Sequence, residues 1–127
     1  MVQFTHLHVH SHFSFLDGMS KIPDLIAKAK KCGMLSMALT DHGNMYGIKE
    51  FVDASNKTNE ELNKEIEKLT EKIDPKDKNK EGEEATPLSP EEIAETKAKI
   101  AELESQLFKP ILGLEAYCAH KSRVEKD

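Results

Sequence analysis

Apolar and polar residues alternate over residues 4–9 (FTHLHV), the two-residue period of a short strand. Leu7 and Val9 fall on one face of that strand, and His6, His8 and His10 on the other. Residues 13–18 lose the period and close on Leu-Asp-Gly, which predicts a loop. Ile22, Leu25, Ile26, Ala29 and Cys32 then recur with the helical period. Pro23 and Asp24 suit a first turn and Gly33 a stop, so a helix is predicted from near Ser20 to Gly33. Residues 34–40 form a short apolar run ending at Asp41-His42-Gly43, a buried strand opening into a loop. A second helix over about residues 44–55 would group Met45, Ile48 and Val52. Residues 110–119 (PILGLEAYCA) read as a third strand with Glu115 inside it. The order β-α-β-α-β predicts an α/β fold built on a parallel sheet or barrel.

Residues 56–107 follow different rules. Thr58-x-x-Glu61 has the form of a capping box, and Leu62, Ile66, Leu69 and Ile73 follow at spacings of four, three and four. Residues 74–87 are polar and contain two prolines, which ends any helix there. Ser89-Pro90-Glu91-Glu92 supplies a second start, and Ile93, Ile100, Leu103 and Leu107 a second stripe. Two amphipathic helices joined by a turn predict an inserted α-helical hairpin. It divides a core of residues 1–55 and 108–127. Such a hairpin packs its own seam, and its stripes are narrow for docking a protein partner.

Composition sharpens this division. The 127 residues carry 18 Lys+Arg against 23 Asp+Glu, a net charge of −5. Residues 56–107 hold 9 Lys and 15 Asp+Glu, or −6, so the flanks are close to neutral at +1. Neither part has the clustered positive excess of a generic nucleic-acid binder. No run of about 20 apolar residues offers a membrane span. The opening MVQFTHLHVHS has no basic or apolar leader, and the only cysteines, Cys32 and Cys118, lie far apart. A cytoplasmic protein with two free thiols is expected.

Chemistry concentrates in the flanks. On a strand, His8-x-His10 points two imidazoles the same way, so they can grip one cation; Zn²⁺, Mn²⁺ or Fe²⁺ suits them better than Ca²⁺ or Mg²⁺. An HxH pair alone also fits a surface or core-edge histidine pair. Here Asp17 follows in a tight turn, His42 ends a buried strand, and Glu115 interrupts an apolar one. A carboxylate inside an apolar strand is costly unless paired or metal-bound. In α/β folds the C-terminal ends of strands converge on one face, where sites are built.

HLHVHSHFSFLDG, ALTDHGNMYG and KPILGLEAYCA, in this order and spacing, resemble the start of the PHP (polymerase and histidinol phosphatase) domain. Within that family they resemble the branch at the N-terminus of bacterial DNA polymerase III alpha subunits. The resemblance covers about residues 4–52 and 108–123. It implies a distorted (β/α)7 barrel, of which this chain supplies the N-terminal portion, with the hairpin as an insertion. It implies that His8 and His10 ligate a first metal, that Asp17 and His42 ligate a further one, and that Glu115 bridges two ions. Asp41 is expected to orient a ligand or cap the following turn. His6 is expected to be structural, His12 has no assigned role, and His120 is expected to be exposed.

Three functions follow as expectations. The first is the PHP part of a replicative polymerase, a DNA-directed DNA polymerase working with DNA, Mg²⁺ and other replisome subunits. In such polymerases the PHP site, with Zn or Mn, hydrolyses phosphoesters as a 3′→5′ exonuclease when its ligands are complete. The second is a stand-alone histidinol-phosphatase-like phosphoesterase. The third is a metal-free module whose hairpin contacts a protein partner. Only three strands are present and the palm is absent, so polymerisation by this chain alone is not expected.

Overall fold

The computed structural model describes residues 4–74 and 89–119. Among these, the elements in chain order are α1 (Ile22–Lys31), β1 (Ser36–Leu39), α2 (Ile48–Ile73), α3 (Pro90–Ser105) and β2 (Lys109–Leu112). The chain divides into two compact units, one comprising Met1–Asn56 with Phe108–Asp127, the other Lys57–Leu107.

The first unit is built around β1. It pairs in parallel with β2, from Ser36 opposite Lys109 to Leu39 opposite Leu112. Parallel strands need a long crossover, and here it contains α2 and α3. Residues 6–9 run along the other side of β1 without forming the regular strand expected at 4–9. The sole β pairing there is one parallel bridge, His6 to Met37. The Ala38 and Thr40 amides donate to the carbonyls of His6 and Val9, but the Val9 amide donates to the Thr40 hydroxyl at 3.0 Å. A side-chain oxygen thus replaces a ladder carbonyl, and the ladder stops. Leu7 is exposed and Val9 half-buried, although the alternation set them on one face.

The core of this unit joins α1, β1 and the start of α2: Ile22, Ile26, Ala29, Met37, Leu39, Phe51 and Phe108 are buried together. Helix α1 starts at Ile22, two residues after the predicted Ser20, because Ser20 gives its carbonyl to the His12 amide. Cys32 caps the end of α1 and is exposed, and Gly33 takes φ +79° as a stop. Phe51, overlooked by the periodicity at 44–55, is fully buried, whereas Met45 is exposed.

The predicted boundary between helices at 55–58 does not exist. Helix α2 runs unbroken for 26 residues through the Thr58-x-x-Glu61 signal. Neither glycine nor proline interrupts it there, and the Ser55 hydroxyl bonds back to the Phe51 carbonyl at 2.7 Å, as mid-helix serines do. The helix also begins later than Asn44. The Asn44 side chain accepts from the Tyr46 amide at 3.1 Å, which favours a turn over a helix at that point.

In the second unit, Leu62, Ile66, Leu69 and Ile73 are half-buried and the residues between them exposed; Leu103 is buried on α3. The Ser89 start is a complete capping box: the Ser89 hydroxyl accepts from the Glu92 amide and the Glu92 carboxylate from the Ser89 amide. Lys99 on α3 lies 3.6 Å from Glu65 on α2. Residues 75–87 of the predicted turn lie outside the described residues. Among the described residues no helix is long and apolar enough to cross a membrane.

Candidate metal centre

The site forms where the ends of β1 and β2 meet residues 8–17. Past Leu112 the pairing continues as single bonds. The Gly113 amide donates to the Leu39 carbonyl, the Glu115 amide to Asp41, and the Gly43 amide to Glu115. A bridge between His42 and Glu115 closes the series. Glu115 is therefore not inside the last strand, as its apolar neighbours suggested. Its side chain is 37% exposed, beyond the end of β2 at Leu112, where only single bonds continue the pairing.

Glu115 is the centre of the cluster. Its Oε2 lies 2.6 Å from His42 Nδ1 and 2.9 Å from His10 Nε2, and its Oε1 lies 3.7 Å from His8 Nε2. His8 and His10 face each other, Nε2 to Nε2, at 2.9 Å. The other nitrogen of His10, Nδ1, pairs with Asp17 Oδ2. Among the described residues two donor groups result, His8-His10-Glu115 and Asp17-His42-Glu115, each with its atoms within 4.8 Å of one another. Glu115 is common to both. The hydrogen bond from His42 holds its carboxyl below the ordinary carboxylate range; the His10 and His8 rings act in the same direction and partial burial opposes them.

Asp41 takes no place in this cluster. It is 2% exposed, and its Oδ1 accepts from the Ser11 amide at 2.6 Å and the Ser14 hydroxyl at 2.8 Å. The Ser11 hydroxyl sits 2.9–3.0 Å from both carboxylate oxygens. Ser14 in turn accepts from the His42 amide at 3.0 Å. The carboxylate thus ties the loop after His10 to the strand end before His42. Sequence reasoning missed Ser11 and Ser14; both are buried, and serine in a polar loop carries no signal of that. Gly18 lets the same loop close, since a Cβ there would sit 2.2 Å from the Ser11 carbonyl oxygen. Leu16, just before Asp17, adopts φ +65°.

His6 and His12 stand apart from the cluster. His6 and His8 border an apolar cavity of about 320 Å³ lined by Val9, Leu25, Ala29, Met34 and Met37. His12 is exposed and its ring lies 4.2 Å from that of Phe13. His120 lies outside the described residues.

A model of the PHP domain matches residues 6–126. The chain belongs to the PHP domain family. Residues of the PHP segment are also similar to named polymerases. They are 56% identical over 55 residues to the DNA polymerase III subunit alpha of Borreliella burgdorferi, covering 43% of this chain and 5% of that protein. They are 58% identical over 50 residues to an error-prone DNA polymerase of Symbiobacterium thermophilum, covering 39% and 5%. The corresponding figures for the DNA polymerase III subunit alpha of Campylobacter jejuni are 51% over 51 residues, 40% and 4%. The chain spans about 5% of the length of the curated relatives it matches. The mixed α/β fold with a parallel sheet agrees with the PHP family.

Proposed function

We propose that this chain is the N-terminal PHP segment of a bacterial replicative DNA polymerase alpha subunit, and that His8, His10, Asp17, His42 and Glu115 hold divalent cations for phosphoester hydrolysis. The parent would be a cytoplasmic DNA-directed DNA polymerase using Mg²⁺, in contact with DNA and other replisome subunits. The chain would supply the first strands and helices of a (β/α)7 barrel. Residues 56–107 would form a helical hairpin inserted between residues 1–55 and 108–127, open to a protein partner.

One observation carries the metal reading: Glu115 is shared by two donor groups. His10 Nε2 lies 2.9 Å from both His8 Nε2 and Glu115 Oε2, while a single nitrogen carries at most one proton. Converging lone pairs of this kind suit a cation. Imidazole nitrogens with carboxylate oxygens favour Zn²⁺ or Mn²⁺.

Bound cations would lower the pKa of a water and neutralise charge developing on a phosphate ester. The chain's own part is positional. Asp17 holds His10 Nδ1, which turns Nε2 of the same ring toward Glu115. His42 holds Glu115 Oε2 and lowers the pKa of that carboxyl. Asp41 anchors the loop that carries Asp17, as a support and not as a ligand.

Calorimetric titration of the chain with Zn²⁺ and Mn²⁺ tests this. The wild type should bind, and Glu115→Gln should weaken binding at least about tenfold. Binding unaltered by Glu115→Gln would overturn the assignment.

A further inference from the structure

Tyr117 lies beside the cluster without belonging to it. Its ring meets the His42 ring edge-on, centroids 4.7 Å apart and planes at 82°. On another side it presses on Gly43, where an added Cβ would come within 2.6 Å of Tyr117 Cε2. Gly43 has φ +67°, so the position favours glycine on two counts. The tyrosine is thus seated against two backbone-fixed residues, yet it is 77% exposed. His42, its neighbour, reaches Glu115 at 2.6 Å. An aromatic face therefore stands within a nucleotide's length of the proposed phosphate site.

We infer that Tyr117 is a stacking platform for the base of a nucleoside phosphate whose phosphate occupies the His42–Glu115 cluster. This rests on the metal-centre reading and adds the residue that would hold the base. Every base has a π face, so such a platform would accept any base, with phosphate capture supplying the register. Tyr117 acts here as a positioning residue, since the reacting atoms belong to the cluster.

The test compares dAMP with deoxyribose 5-phosphate, which share a phosphate and differ in the base, binding to the Mn²⁺-loaded chain. Stacking on one aromatic ring predicts a preference for dAMP of about 5- to 150-fold. Tyr117→Phe should keep that preference. Tyr117→Ala should bring it close to one, weakening dAMP far more than deoxyribose 5-phosphate. Tyr46→Ala, at another exposed tyrosine, should have no effect. An undiminished preference in Tyr117→Ala, or its loss in Tyr46→Ala alone, would overturn the platform and leave the metal centre standing. Mn²⁺ binding without affinity for either phosphate would also overturn the platform. No Mn²⁺ binding at all would overturn the metal reading together with the inference built on it.

Discussion

Asp41 Oδ1 accepts the backbone N–H of Ser11 at 2.6 Å, joining two residues that are each one step along the chain from a cluster histidine, His42 and His10. The bond crosses 30 residues of sequence and is buried. It sets the spacing between the segments that carry the two rings, and two serine hydroxyls complete its shell. A buried carboxylate is tolerable here because its oxygens are matched by donors.

Removing those partners should therefore be costly. Asp41→Ala leaves the Ser11 amide and two hydroxyls without their acceptor, and an expected loss of about 3–4 kcal/mol follows. Asp41→Asn keeps an acceptor but loses the charge, for about 2 kcal/mol. Urea denaturation measures both. A loss below about 0.5 kcal/mol in Asp41→Ala would show that the network does not support the fold.

Leu16 offers the opposite case. Its side chain is 99% exposed, and its φ of +65° disfavours any residue with a Cβ. The left-handed conformation costs about 1–2 kcal/mol, and glycine costs about 0.5–1 kcal/mol in chain entropy, so Leu16→Gly should stabilise by about 0.5–1 kcal/mol. Thermal unfolding should show a raised midpoint, and a lowered one would mean that Leu16 makes a stabilising contact.

The capping box of α3 gives a pH-dependent prediction. The Ser89 backbone N–H, and then its side chain, hold the Glu92 carboxyl below the ordinary carboxylate range. A depressed carboxyl stabilises the helix above the unfolded value, near pH 4.3, and the effect is lost as pH falls through the lower folded value. Helicity by circular dichroism should therefore fall in that acid window. Glu92→Gln should abolish that transition, while Ser89→Ala, which keeps the backbone N–H, should cost about 1 kcal/mol at neutral pH. A transition that persists in Glu92→Gln would place its origin elsewhere.

Much of this was legible in residue order, for identifiable reasons. The apolar run at 34–40 and the spacing of Ile22, Ile26 and Ala29 led to β1 and α1, because burial imposes period on sequence. The Ser89 capping box was readable because it uses two residues at fixed spacing. Other features depend on tertiary contacts. The Val9 amide takes the Thr40 hydroxyl instead of a carbonyl, and alternation at 4–9 cannot reveal that. Asn44 delays α2 through its side chain, and Thr58 fails to restart a helix that nothing has stopped. At the candidate site, the residue types at 8, 10, 17, 42 and 115 pointed to a cation. The serine shell around Asp41 and the seat of Tyr117 emerge only once strands, loop and residues 113–119 are side by side.

Anomalous diffraction from crystals of the chain grown with Mn²⁺ or Zn²⁺ examines the metal centre most directly. Density at the absorption edge of the added metal should appear beside Glu115, within coordinating distance of His8 and His10 and of Asp17 and His42. It should vanish in Glu115→Gln and persist in Tyr117→Ala. Crystals whose anomalous maps are blank at Glu115, or whose peaks lie on other side chains, would contradict the account.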